Sequence, residues 1–365
     1  MRPSPVQRVM GAIVPRAVDA IDPDELLDRI DIDALLGELT VEEKAALCSG
    51  SGFWHTRAID RLGIDAIAVA DGPHGLRVQR DGGDHLGIDS SEPATCFPPA
   101  VTLGSTWNPE TVRRVGEAIG AEARAAGLAV VLGPGVNIKR SPLCGRNFEY
   151  YSEDPHVAGT MGTAWVQGLQ STGVGASLKH FAANNQETDR MRISADLDER
   201  TLREIYLPAF EQVVRTARPW ALMAAYNRIN GTYASEARWL LTDILRQEWG
   251  FDGVVVSDWG AVNDRAAALA AGLDLEMPFS GTDEQVVEAV TAGALDERVL
   301  DEVVQRMTRL ASRVDRSPAE PVDADEHHQL ARRAAAESIV LLKNQGSALP
   351  LAPRTASVLE VGDLP

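Results

Sequence analysis

The sequence predicts an α/β fold in which repeated strand–helix units close into a (β/α)8 TIM-type barrel, distorted or incomplete, followed by a linker and the start of an α/β sandwich domain. Three observations predict it. Short apolar runs rich in β-branched residues alternate with longer amphipathic runs, the pattern of strand and helix. Each interval admits a strand, a loop, a helix and a loop, which is the repeating unit of parallel sheets. Polar or charged residues follow nearly every strand on its carboxyl side, at Asp71, Asn137, Lys179, Tyr226, Asp258 and Glu276, and such one-sided placement favours a barrel over an open sheet.

Taken in order, residues 1–24 form an N-terminal extension, where Arg2, Arg8 and Arg16 surround a short, interrupted apolar run that lacks a signal-peptide core. The barrel is expected over 25–312. Its strand candidates include 67–70, 128–132, 174–178, 221–225, 254–256 and 273–277, each an apolar run of strand length. Helices are expected over 109–126, 199–216, 238–249 and 284–291. Only about seven strands are convincing, hence the expectation of distortion. A linker rich in Pro, Asp and Glu occupies 313–327. Beyond it, 328–343 reads as an alanine-rich amphipathic helix and 358–361 as the first strand of a second α/β domain, without partners. An unpaired apolar strand is a liability, so the chain reads as one that stops early in that domain.

The 53 acidic against 35 basic residues give a formal charge of −18, which repels phosphate backbones and anionic bilayers. Nucleic acid and membrane are therefore not expected as partners. No apolar stretch is long enough to span a bilayer, and the expected location is cytoplasmic. Cys48, Cys96 and Cys144 show no paired spacing that would suggest a disulfide framework or a metal site. No metal or organic cofactor is expected.

The chemistry points first to Gly253-Val254-Val255-Val256-Ser257-Asp258-Trp259. Three β-branched residues read as a strand buried on both faces. Asp258 stands where that shielding ends, the place where active sites gather in parallel barrels. Read alone, Asp258 is equally the N-cap of a helix over 261–272. A second strand leads into Lys179-His180-Phe181 and a turn carrying Asn184, Asn185, Gln186, Glu187 and Arg190. That density of donors and acceptors suits a polyhydroxylated ligand. With Asp71-Gly72-Pro73-His74-Gly75-Leu76-Arg77 and the stretch from Asn137 through Gly145-Arg146-Asn147-Phe148-Glu149, these four motifs, in this order, resemble the β-glucosidase branch of glycoside hydrolase family 3 over residues 25–345.

The resemblance implies a retaining, exo-acting β-glycosidase of β-glucosidase type. It would remove terminal non-reducing β-D-glucosyl residues from an oligosaccharide or aryl β-glucoside by double displacement. It makes Asp258 the nucleophile and Asp71 an acceptor for hydroxyls of the terminal sugar. Arg146, Lys179 and His180 become the matching donors, Met223 and Tyr226 neighbours of the nucleophile, and Trp259 a platform for a sugar face. Plainer readings stand beside these: turn initiation for Asp71, a bridge to Glu149 or Asp154 for Arg146, a satisfied core histidine for His180, core packing for Trp259 and gap filling for Met223. Loop-bracing salt bridges explain Arg77 and Arg140 equally well, and Glu187 and Arg190 are spaced to pair with each other.

In this branch the acid/base glutamate comes from the second domain, so it is expected outside these residues; nothing favours Glu149, Glu153, Glu187 or Glu276 instead. The branch with a barrel-borne acid/base carries Lys-His-Phe-Pro-Gly-His-Gly, whereas Ala182-Ala183-Asn184-Asn185 stands here. An N-acetylglucosaminidase is accordingly disfavoured. A β-xylosidase or arabinosidase of the same family and a catalytically impaired sugar-binding remnant are the competing readings. The face left by a missing domain would invite self-association.

Overall fold

The computed structural model describes residues 31–79, 91–352 and 357. The N-terminal extension over 1–24 and the strand expected over 358–361 lie outside the described residues. Within them run the strands β1 (Val69–Asp71), β2 (Val130–Leu132), β3 (Gly175–Phe181), β4 (Ser194–Ala195), β5 (Ala221–Ala224), β6 (Arg228–Ile229), β7 (Thr232–Tyr233) and β8 (Val254–Ser257). β1, β2, β3, β5 and β8 form one parallel sheet in that order. β4, β6 and β7 make a small separate sheet. Its β6–β7 hairpin turns through Asn230-Gly231, both at positive φ, as a two-residue turn of matching twist requires.

Burial follows the strand period of two. Val69, Val130, Leu132, Ala221, Met223, Val254 and Val256 share one apolar cluster, the barrel interior. Ala70, Val131, Ala176, Leu178, Leu222, Ala224 and Val255 share another with the surrounding helices. Side chains fill the interior, leaving a void of about 20 Å³, so the barrel is a packed core and not a pore.

The sheet curls closed beyond β8. Leu275 bridges Val256 and Glu276 bridges Ser49, both in parallel. The chain then returns antiparallel along β1, with Thr56 N–H donating to the Ile67 carbonyl at 3.0 Å and Val69 N–H to the Trp54 carbonyl at 2.9 Å. The segment 273–277 is therefore not the ladder strand expected of it but a stave held by single bridges. The Asp274 carboxylate takes the Val255 N–H at 2.7 Å, in place of a regular ladder bond. The ring is distorted, as expected, and one of its seams is antiparallel.

The helix expected over 199–216 is interrupted. It begins as Glu199–Thr201, continues as a wider π-type turn over Leu202–Tyr206 and resumes as Pro208–Ala217, because Pro208 has no N–H to continue the ladder. The helices Pro109–Ala125 and Pro155–Gln170 each start on a capping side chain, Asn108 and Asp154, with proline in the first turn. They pack closely because Gly116 lies against the Trp165 carbonyl and Gly168 against the Arg113 carbonyl, where a Cβ would collide.

Helix Glu297–Arg313 runs into the linker, and the next helix, Ala324–Ser338, starts and ends earlier than expected. Beyond Ser338 come β-branched Ile339 and Val340, which are exposed. Leu330, Ala331 and Ala334 seat that last helix on the barrel, with His327 Nδ1 2.6 Å from Glu122 and the Thr111 hydroxyl donating to Glu337 at 2.7 Å. Among the described residues no helix is long and apolar enough to cross a membrane.

Candidate active site

The alternation that fills the barrel also delivers the site. Asp71, Lys179 and Asp258 stand two residues beyond the inward-facing Val69, Ser177 and Val256, so all three point into the carboxyl-terminal mouth. The β3–β5 register slips between Leu178 and Phe181, and such an irregularity re-aims a side chain. His180 thereby joins Lys179 in the mouth.

Lys179 Nζ lies 2.8 Å from Asp71 Oδ1, and Arg77 Nη2 lies 3.2 Å from Asp71 Oδ2. Burial alone would raise the Asp71 carboxyl, but Lys179, and after it Arg77, outweigh burial and hold it at about 2. The loop-bracing reading of Arg77 is thus what the structure shows. Arg146 is held at its Nε edge by Glu149, and its Nη2 lies 2.8 Å from His180 Nε2. The bridging reading of Arg146 to Glu149 and its place in the mouth are therefore both true; Asp154 caps a helix instead.

Burial, reinforced by Arg146, Lys179 and Arg190, pushes the His180 imidazole well below its usual range, so it is neutral. With Arg146 donating to Nε2, the His180 proton belongs on Nδ1, which faces the Tyr150 hydroxyl at 3.2 Å, a tautomer inferred from these partners. Asn137 clamps the His180 backbone from both sides, accepting from its N–H at 2.8 Å and donating to its carbonyl at 2.9 Å.

Asp258 is 7% exposed. Its Oδ1 accepts the Trp259 N–H at 2.8 Å. Its Oδ2 is buried without a hydrogen-bond partner among the described residues and lies 3.6 Å from His180 Nε2. Burial pushes the carboxyl up, opposed by Arg146, the Trp259 N–H, Lys179 and Tyr226. The capping alternative is excluded, because the helix Arg265–Ala271 is capped by Asp264, which accepts from Ala267 N–H at 2.9 Å.

The Tyr226 hydroxyl donates to the Trp259 carbonyl at 3.0 Å and also acts on the Asp258 carboxyl. Arg190 lies 4.6 Å above the Tyr226 ring and pairs with Glu187 at 2.9 Å, the partner its spacing suggests. Trp259 is partly exposed; its indole N–H donates to the Phe53 carbonyl at 2.9 Å and its ring lies 5.4 Å from Trp54. Met223 is 2% exposed and belongs to the interior apolar layer.

In the turn whose polar density suits a polyhydroxylated ligand, Asn184 and Asn185 are buried: Asn185 donates to the Ile138 carbonyl and Asn184 to the Tyr150 hydroxyl at 3.4 Å, which braces the loops. Sequence reasoning offered the Arg146–Glu149 bridge but missed the supporting parts played by Tyr150 and Asn137, Asn137 being visible only as a polar residue after a strand and the start of a motif. Among the described residues no group of three or more metal-ligating side chains is assembled.

The model of the Glycosyl hydrolase family 3 N terminal domain matches residues 85–310, and the chain belongs to this family. It is 55% identical over 326 residues to the thermostable β-glucosidase B of Acetivibrio thermocellus, covering 88% of this chain and 43% of that protein. It is 53% identical over 321 residues to an exo-α-(1→6)-L-arabinopyranosidase of Bifidobacterium longum, covering 86% and 42%. The solved structure of β-glucosidase 3B from Thermotoga neapolitana in complex with glucose matches at a TM-score of 0.82 and 42% identity, over 88% of this chain and 48% of that one. The chain spans less than half the length of these relatives.

Proposed function

We propose that this chain carries the sugar-binding site and nucleophile of a retaining, exo-acting β-glycosidase of β-glucosidase type. The observation that supports it most directly is the buried Asp258 carboxyl, which keeps one oxygen unpartnered beside Arg146 and His180. That oxygen stands at the carboxyl end of β8, 3.6 Å from His180 Nε2, where a nucleophile would meet an anomeric carbon.

In the proposed reaction Asp258 attacks the anomeric carbon while the glycosidic bond breaks, and the departing oxygen takes a proton from an acid. Water then cleaves the glycosyl ester as the same acid, now a base, takes the water's proton. Asp71, held ionised, accepts sugar hydroxyls, and Lys179, Arg146 and His180 line the opposite side. Trp259 offers its face to the sugar and Tyr226 steadies the nucleophile, while Met223 supports the floor beneath it. We place the proton donor outside the barrel mouth. Glu149 is tied to Arg146 and faces Lys179, so it is not free to approach a leaving oxygen. In domain terms, 25–312 would be the barrel, 313–327 the linker, and the helix that follows the start of a second α/β unit.

The identity to an arabinopyranosidase supports a second reading, with a pentose in the same mouth. The charge of −18 argues against nucleic acid and anionic membranes as partners. The free thiols Cys48, Cys96 and Cys144 fit a reducing cytoplasm. Exposed Ile339, Val340, Leu341 and Leu342 offer an apolar surface for self-association.

The test is incubation with dinitrophenyl 2-deoxy-2-fluoro-β-glucoside, whose leaving group needs no acid, followed by intact mass and peptide mapping. An adduct on Asp258 is expected. Folded protein left unlabelled would reject the glucosidase reading, and an adduct formed only with the arabinosyl analogue would select the second one.

A further inference from the structure

We propose that Glu149 is a positioning residue: its carboxylate aims the Arg146 guanidinium at His180 and the mouth and keeps that cation from closing on Asp258. This role rests on the glycosidase reading above and adds to it a residue that touches no substrate.

Glu149 is 5% exposed, on the short 3-10 turn Asn147–Glu149 that follows Arg146. A buried carboxylate is costly unless it is paired. Its Oε1 accepts from Arg146 Nε, and its Oε2 faces Lys179 Nζ at 3.9 Å. Lys179 has a nearer partner in Asp71, at 2.8 Å. Among the described residues, Glu149 is the one carboxylate in ion-pair contact with Arg146. A guanidinium presents donors along separate edges. With Glu149 on the Nε edge, Nη2 is left to contact His180 Nε2 at 2.8 Å.

Charge therefore alternates across the floor of the mouth, through Arg77, Asp71, Lys179, Glu149 and Arg146, and reaches Asp258 past the neutral His180 ring. Asp258 Oδ2, without a hydrogen-bond partner among the described residues, lies 3.6 Å from the same His180 nitrogen that Arg146 contacts, and its carboxylate already acts on the Arg146 charge. Without the Glu149 charge, Arg146 turns to pair with the nucleophile. An ion-paired carboxylate is a weaker nucleophile and loses its proton at lower pH. The charged and titratable groups acting on or contacting Asp258 are Arg146 from the loop after β2, Lys179 and His180 from β3, and Tyr226 beyond β5. Glu149 and Asp71 are paired with Arg146 and Lys179, and Arg190 with Glu187 in the turn after β3.

The experiment uses Glu149→Gln and Glu149→Asp in the full chain. It follows dinitrophenolate release during labelling by the fluoroglucoside as a function of pH, with a thermal melt of each variant. For Glu149→Gln the acid limb, which reports ionisation of Asp258, moves down by about one pH unit, and the plateau rate falls about tenfold to a hundredfold. An acid limb at the wild-type pH would overturn the role, since a merely structural loss lowers the folded fraction without moving the titration. Glu149→Asp keeps the charge but withdraws it by one carbon. Its limb stays in place while its plateau falls, and a wild-type plateau would equally overturn the role; this variant decides the matter if the glutamine protein does not fold. A wild-type chain unlabelled at Asp258 fails the glycosidase reading, and the Glu149 role falls with it. A labelled wild type with an unmoved glutamine limb removes Glu149 alone.

Discussion

The Lys179 ammonium lies 2.8 Å from the Asp71 carboxylate, which joins β1 to β3 across the mouth although β2 separates them in the sheet. The contact links a backbone consequence to a chemical one. Inward-facing ends of two strands meet, and the acid among them stays ionised far below its ordinary value of 3.8.

Asp71→Asn should test both halves of that link. Because the folded carboxyl sits below its unfolded value, its stabilising effect is complete above about pH 4 and disappears as pH falls towards 2. The difference in Tm between wild type and variant should therefore be constant at neutral pH and close between pH 4 and 2. Fluoroglucoside labelling should slow at least about a hundredfold, because a site built to pair sugar hydroxyls loses its acceptor. A Tm difference independent of pH would count against the electrostatic account.

The sign is opposite at Asp258. Burial raises its carboxyl, so the ionised form opposes folding at neutral pH. Asp258→Asn should abolish labelling while raising Tm at pH 7, and the gain should shrink as pH falls and the wild-type carboxyl protonates. A variant that melts lower than wild type at pH 7 would contradict this assignment.

Asp274 is an acid of another kind. It is fully buried, pairs with Arg246 at 2.6 Å and Arg306 at 2.7 Å, and accepts the Val255 N–H. Asp274→Asn leaves two largely buried arginines without their counter-charge. Chemical denaturation should show a loss of about 3–5 kcal/mol. A change under about 1 kcal/mol would mean the arginines find water instead.

His327→Ala should loosen the seat of the helix Ala324–Ser338 by removing its contact with Glu122. Hydrogen exchange should rise in that helix while the amides of β3 and β8 stay protected. Unchanged exchange in the helix would assign its docking to Leu330, Ala331 and Ala334 alone.

Much of the barrel was legible because a parallel strand buried on both faces writes itself as an apolar run, as Val254-Val255-Val256 does. The mouth residues were legible because the strand period carries Asp71, Lys179 and Asp258 inward once Val69, Ser177 and Val256 face the interior. Backbone bonding was less visible. The segment Ser51-Gly52-Phe53-Trp54-His55-Thr56 has no alternation, yet its carbonyls and amides close the ring. Likewise Leu273-Asp274-Leu275 looks like a strand, but its acid takes a ladder N–H for itself. Nor does residue type distinguish a polar side chain that faces a ligand from one that braces a loop. The asparagines at 184 and 185 brace, whereas the lysine at 179 faces the mouth.

The antiparallel seam also sets where this domain can begin. The stretch matched by the family model starts at residue 85, but the hydrogen bonds that shut the ring lie between Trp54 and Thr56 on one side and Ile67 and Val69 on the other. A protein trimmed to the matched stretch would lose Asp71 together with the first stave. Its exposed β2 edge would then be a template for pairing with a second molecule, whereas a stretch that keeps the ring shut includes Ser49, which bridges Glu276.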